Sequence, residues 1–138
     1  MLEYRVTATR LDQHGSLARC KAAEITLDTD LQGREDAFNP AELFLASIAA
    51  CMIKGIERVT PILKFRLQGV EVSIRGFRQD SPPIIARVEY ELIVDTEESD
   101  RRLEILHVNV MNYGTIYNTV AEAIELEGQI SRKRSEPL

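Results

Sequence analysis

The chain has 138 residues, of which 44% are hydrophobic and 28% charged, with a formal net charge of −5. This size and balance describe one folded domain over 1–138, able to bury a core without disulfides. The acidic balance argues against nucleic-acid binding, and no apolar run reaches the roughly 18 residues of a membrane span.

In chain order, Leu2, Tyr4, Val6 and Ala8 alternate with polar residues. They predict a strand that turns at His14-Gly15 into a second extended run from Leu17 to Leu27, forming a hairpin. This start lacks the cationic opening and apolar centre of a signal peptide. A charged loop, Asp30 to Phe38, leads to Asn39-Pro40. Asparagine is a good N-cap and proline suits the first helical position, so a helix is expected from Pro40 to about Val59, with Thr60-Pro61 as its stop. From Leu43 to Ile53 its only polar side chain is Ser47. A helix apolar on every side needs cover on every side, which a chain of this size supplies most readily as a homodimer.

Two half-buried antiparallel strands follow. Val70, Val72 and Ile74 alternate with Glu71, Ser73 and Arg75 within Leu67 to Phe77. After Asp80-Ser81-Pro82-Pro83, Val88, Tyr90, Leu92 and Val94 alternate with polar residues. A second helix is expected from near Thr96, with Leu103, Leu106, His107 and Val110 on one face and Gly114 as its break. A third is expected from Thr115 to about Leu126, with Gly128 past its end and a last edge strand at Gln129 to Ser131. The class is α+β.

The chemistry centres on Cys51, where a thiol in a dry helix face is either an inert small hydrophobe or a reactive group. Ser47, Lys54, Gly55 and Arg58 share or adjoin its face. Lys54 or Arg58 beside a thiolate would stabilise it, and Gly55 would leave room for a substrate. Cys20 sits in a strand between Arg19 and Lys21, and it can pair with Cys51 only if the fold brings them together. His107 reads as a satisfied core or interface histidine, and His14 as a turn residue. Glu42 in the first helical turn suits the helix dipole. Two histidines and two cysteines in unrelated places make no metal constellation, and no Gly-rich phosphate loop calls for a nucleotide cofactor. So few cysteines also fit a reducing cytoplasm without a disulfide framework. The run Arg132-Lys133-Arg134 reads as a solvated tail.

The stretch Asn39-Pro40-Ala41-Glu42-Leu43-Phe44, with Ala49-Ala50-Cys51 after it, resembles the osmotically inducible protein C and organic hydroperoxide resistance (OsmC/Ohr) family. That family carries Asn-Pro-Glu-x-Leu leading to Ala-Ala-Cys. Gly114-Thr115-Ile116-Tyr117-Asn118 resembles its second motif, Cys-Pro-(Val/Ile)-(Ser/Tyr)-Asn. The resemblance implies an OsmC-like fold: antiparallel sheets around a long buried central helix, in an intertwined homodimer. It implies a redox role in which Cys51 attacks an organic hydroperoxide and an activating arginine (Arg10 or Arg19) assists; Glu42, Ser47, Lys54, Gly55, Arg58 and Tyr117 are the candidate ligand-binding residues around it. Two positions depart from the pattern. The second cysteine falls at Gly114, and the glutamate after Asn-Pro falls at Ala41. A two-cysteine cycle is therefore not expected. The expectation is a one-cysteine thiol peroxidase, without cofactor, that depends on an external thiol reductant. The alternatives are a non-catalytic dimer binding a small apolar or anionic ligand in the same interface pocket, and a purely structural or partner-binding dimer.

Overall fold

A computed structural model describes residues 1–134. The chain divides into two compact units, Met1–Phe44 and Leu45–Leu138.

The N-terminal unit is a three-stranded antiparallel meander of β1 (Thr7–Asp12), β2 (Gly15–Cys20) and β3 (Ala23–Leu27). The second extended run of the sequence is thus two strands. They are split at Lys21, whose φ of 56° lets the chain reverse without a glycine. The register pairs Thr7 with Arg19 and Cys20 with Ala23. Beyond β3 the loop is organised by Asp28. Its carboxylate accepts from the backbone N–H of Asp30 at 3.1 Å and of Arg34 at 3.0 Å, and its own N–H donates to the Phe38 carbonyl at 2.9 Å.

Helix α1 (Pro40–Leu63) begins as the sequence indicates and ends later. Asn39 Oδ1 accepts from the Glu42 N–H at 2.8 Å, and Glu42 Oε1 accepts from the Asn39 N–H at 3.0 Å. This reciprocal pair satisfies two of the orphan donors at the helix start. Pro61 does not stop the helix. It deprives the Glu57 carbonyl of its usual donor, but the Thr60 hydroxyl lies 3.1 Å from that oxygen and 2.8 Å from the Ile56 carbonyl. The stop comes three residues later, at Lys64 in the left-handed region with φ 51°. There Phe65 N–H reaches the Thr60 carbonyl at 2.9 Å and Lys64 N–H the Pro61 carbonyl at 3.3 Å, the bond pair of a Schellman ending. Arg102 adds a donor to the Leu63 carbonyl at 2.6 Å.

The C-terminal unit holds β4 (Gly69–Asp80), β5 (Pro83–Asp95) and β6 (Glu125–Arg132) in the order β4-β5-β6, with α2 (Asp100–Tyr113) and α3 (Thr115–Ala121) between β5 and β6. β4 and β5 pair antiparallel, and their inward residues are the expected ones, with Val88, Tyr90, Leu92 and Val94 all buried. β6 departs from the sequence reading twice. It starts at Glu125, where the third helix was expected to continue, and it pairs parallel to β5. The sheet is therefore mixed, because α2 and α3 carry the chain back before it enters the edge. Ser99 caps α2, its hydroxyl accepting from the Arg102 N–H at 3.3 Å, so that helix starts after Thr96 rather than at it.

The core of this unit joins Ile48, Met52, Ile56 and Val59 of α1 to the inner face of β5 and to Leu103, Leu106 and Val110 of α2. Each large aliphatic side chain so buried contributes about 1.5–3 kcal/mol. The other sides of α1 stay open. Leu43, Phe44, Ala46 and Ala49 are only half-buried, Ala50 is exposed, and Ile53 is 37% exposed.

Candidate functional site

Cys51 is half-buried on α1, in the C-terminal unit, with a free thiol. What lies against it is Gly114, at the corner between α2 and α3. A Cβ placed on Gly114 would stand 3.1 Å from Cys51 Sγ, 3.1 Å from the Val110 carbonyl oxygen and 3.2 Å from Tyr117 Cβ. The backbone there is extended, with φ −78° and ψ 121°, a conformation open to any residue. Glycine at this corner thus reflects close approach to Cys51 rather than backbone freedom. One turn along α1, a Cβ on Gly55 would meet Val110 Cγ2 at 3.7 Å, an ordinary van der Waals contact. Arg58 Nη2 lies 3.8 Å from that point, so an otherwise exposed guanidinium folds back along the helix toward the next turn.

Cys51, Gly55, Arg58 and Tyr117 thus belong to one region of the C-terminal unit. Ser47 and Lys54 are exposed on the same helix. Glu42 is held in the Asn39 cap. Arg10 and Arg19 are exposed on β1 and β2 of the N-terminal unit, with Arg19 Nε donating to Glu24 at 2.8 Å. Cys20, at the end of β2, is also a free, half-buried thiol.

Nothing in the sequence marked Tyr90 as functional. His107, on the buried side of α2, is paired with it. Tyr90 Oη lies 2.8 Å from His107 Nε2, and both residues are about 95% buried. Burial pushes the Tyr90 hydroxyl well up from its ordinary value, with the neighbouring Tyr117 phenol adding to the effect. Burial pushes the His107 imidazole down, opposed more weakly by Glu104. Both shifts favour the neutral pair, in which the phenol O–H donates to the imidazole lone pair. Tyr90 meets His107 edge-on at 5.7 Å between ring centres and Tyr117 at 6.4 Å. Across the ladder Tyr90 faces Gly128 of β6, where any Cβ would overlap the tyrosine ring. A glycine inside a strand marks a close approach, but in the sequence Gly128 reads as the end of a helix, which hid that signal.

Among the described residues, no three His, Cys, Asp or Glu side chains converge to hold a metal ion, and no helix is long and apolar enough to cross a membrane.

The family model for OsmC-like protein matches residues 33–128, which include α1, Cys51, Gly114 and the Tyr90–His107 pair. The chain belongs to the OsmC-like family. None of the curated proteins matches it. Among solved structures, an OsmC-like protein from Mycoplasma pneumoniae superposes with a TM-score of 0.86 at 16% identity, covering 96% of this chain and 99% of that one. An organic hydroperoxide resistance protein OsmC from Legionella pneumophila gives 0.70 at 18% identity, covering 95% and 99%. The organic hydroperoxide resistance protein OhrB of Bacillus subtilis gives 0.63 at 16% identity, covering 94% and 98%. At these identities the likeness establishes the OsmC-like α+β fold.

Proposed function

We propose that this OsmC-like protein is a cytoplasmic one-cysteine thiol peroxidase acting on organic hydroperoxides. The observation that carries the reading is the 3.1 Å approach between Cys51 Sγ and the Cβ position of Gly114. By the resemblance the family's second cysteine falls at this position, and a thiol there would lie within reach of Cys51. In the proposed cycle the Cys51 thiolate attacks the outer peroxide oxygen and the O–O bond breaks. The alkoxide leaves and takes a proton to become the alcohol, and Cys51 becomes a sulfenic acid. With glycine at 114, an external thiol attacks that sulfenic acid and releases water. A second thiol then cleaves the mixed disulfide and restores Cys51. Hydroperoxide and two thiols thus give alcohol, water and one disulfide. Arg58, whose guanidinium approaches Gly55 one turn along the helix from Cys51, and Lys54 are the candidate cations of this helix to counter charge on the thiolate and the leaving alkoxide. Arg10 and Arg19 remain the alternatives that the resemblance suggests.

The working form is proposed to be a homodimer. Its support is the apolar surface of the chain: the open sides of α1, and Leu2, Tyr4 and Val6 at 64–81% exposure. A soluble protein rarely leaves so much of this surface uncovered.

The second reading is a ligand-binding dimer without turnover, favoured by one observation. Glu42, the carboxylate nearest the missing family glutamate, is committed to the Asn39 cap. Turnover separates the two readings. Cumene hydroperoxide consumed in proportion to added dithiol, and lost in Cys51→Ser, supports the peroxidase. Absence of turnover, together with a small molecule that raises the melting temperature, supports the binder.

A further inference from the structure

We propose that Tyr90 and His107 are positioning residues for Cys51: their buried hydrogen bond holds the α2–α3 corner, with Gly114 and Tyr117, against the Cys51 sulfur. The inference rests on the reading of Cys51 as a working thiol and names the parts that set its exposure.

A chain of contacts connects the pair to the thiol. Tyr90 projects from β5 and its ring lies over Gly128, so the sheet is cut away to admit it. At its tip the hydroxyl binds His107 of α2 at 2.8 Å. Its flank meets Tyr117 of α3 nearly perpendicular, at 87°. Tyr117 Cβ and Cys51 Sγ then crowd the same point beside Gly114, at 3.2 and 3.1 Å. The strut therefore runs from the sheet, through both helices that flank the corner, to the face of Cys51 that the corner covers.

A leucine or phenylalanine would fill such a space with less demand on its neighbours. A buried polar pair instead fixes one orientation, because any tilt of either ring leaves a donor or acceptor unmet in a dry interior. Directional anchoring of this kind is what a half-buried thiol needs if its exposure is to stay constant while nearby loops fluctuate.

The test uses the two thiols of the chain as reporter and control. Cys20 lies in the N-terminal unit and has no part in the strut. Alkylation of both cysteines by iodoacetamide is followed by mass spectrometry in the full-length wild type, Tyr90→Phe, His107→Leu and His107→Gln, well below their melting temperatures. Tyr90→Phe keeps the ring and removes only the hydroxyl, so it is the variant expected to fold best. Loss of the bond loosens the corner. The rate at Cys51 relative to Cys20 is expected to rise about tenfold in Tyr90→Phe and His107→Leu. Glutamine keeps an acceptor for the phenol, so His107→Gln is expected to return the ratio most of the way to wild type. A purely structural role would lower the melting temperature and leave the ratio alone. An unchanged ratio in Tyr90→Phe, or no recovery in His107→Gln, overturns the proposal. Because alkylation needs no peroxide, a failure of the peroxidase reading shows separately, as a Cys51 that alkylates yet never consumes hydroperoxide.

Discussion

Replacing Gly114 with cysteine should restore a disulfide to this chain. A sulfur bonded to Cys51 Sγ at about 2.05 Å places its own Cβ about 3 Å from that Sγ. The Cβ position at Gly114 is 3.1 Å away, so the bond forms with almost no backbone movement. The same Cβ presses on the Val110 carbonyl at 3.1 Å and on Tyr117 Cβ at 3.2 Å, which must yield by a few tenths of an ångström at a cost of about 1 kcal/mol. Closing the loop of roughly 60 residues between Cys51 and position 114 removes about 4 kcal/mol of unfolded-chain entropy. Because that steric cost is common to both forms, the oxidised variant should be about 4 kcal/mol more stable than its reduced form, which for a chain this long raises the melting temperature by roughly 12 °C. Non-reducing peptide mapping after one equivalent of cumene hydroperoxide, with paired thermal melts under oxidising and reducing conditions, measures both. If the variant folds and still keeps two free thiols at these positions, the adjacency is wrong and the argument from Gly114 falls with it.

Three further outcomes follow from the geometry. Lys64→Gly should raise stability by about 1 kcal/mol, or about 3 °C in melting temperature, because the left-handed ending of α1 strains a side chain there; a fall would mean the exposed lysine makes contacts that matter more than its backbone. Gly128→Ala should cost about 2–3 kcal/mol, since the added methyl collides with the Tyr90 ring; urea midpoints equal to wild type would show that the ring is free to move. Stability should also decline on acidification in two stages. The His107 imidazole is lowered by burial, so its contribution is complete above the unfolded value of about 6.5 and is lost as pH falls through the lower folded value. Asp30 is lowered by its hydrogen bond from His14 and Asp36 by that from Arg34, while Glu98 is lowered by Arg102 and Arg66 against the opposing effect of burial. These carboxylates give way at still lower pH. His107→Gln should abolish the first stage only, and denaturant titrations at intervals from about pH 7 to about pH 2 read both stages.

Much of the fold was legible in the sequence, and the misses share a cause. Asn39-Pro40 marked the start of α1 because caps act within a few residues, and the alternation in β4 and β5 marked their buried faces because one side of each strand meets a core. Pro61 misled because the Thr60 hydroxyl supplies the hydrogen bond that proline withholds. The β2–β3 turn went unseen because Lys21 adopts a backbone conformation usually left to glycine or asparagine. β6 was cut short because its parallel partner, β5, lies far off in sequence, and no local pattern reports such a pairing. At the site, the Asn-Pro and Ala-Ala-Cys stretch pointed to Cys51. The contact of Cys51 with Gly114 was legible only through resemblance, since glycine has no side chain to advertise a contact. The Tyr90–His107 bond was invisible for a different reason: each residue reads alone as an ordinary apolar-face position, and only the packing of α2 on β5 joins them.

The most direct test of the account is the fate of the Cys51 sulfur on exposure to one equivalent of cumene hydroperoxide, with dimedone present to trap sulfenic acid. The account predicts loss of one hydroperoxide per chain and a dimedone adduct on the peptide carrying Cys51, with neither seen in Cys51→Ser. An unmodified Cys51 and undiminished hydroperoxide would contradict it.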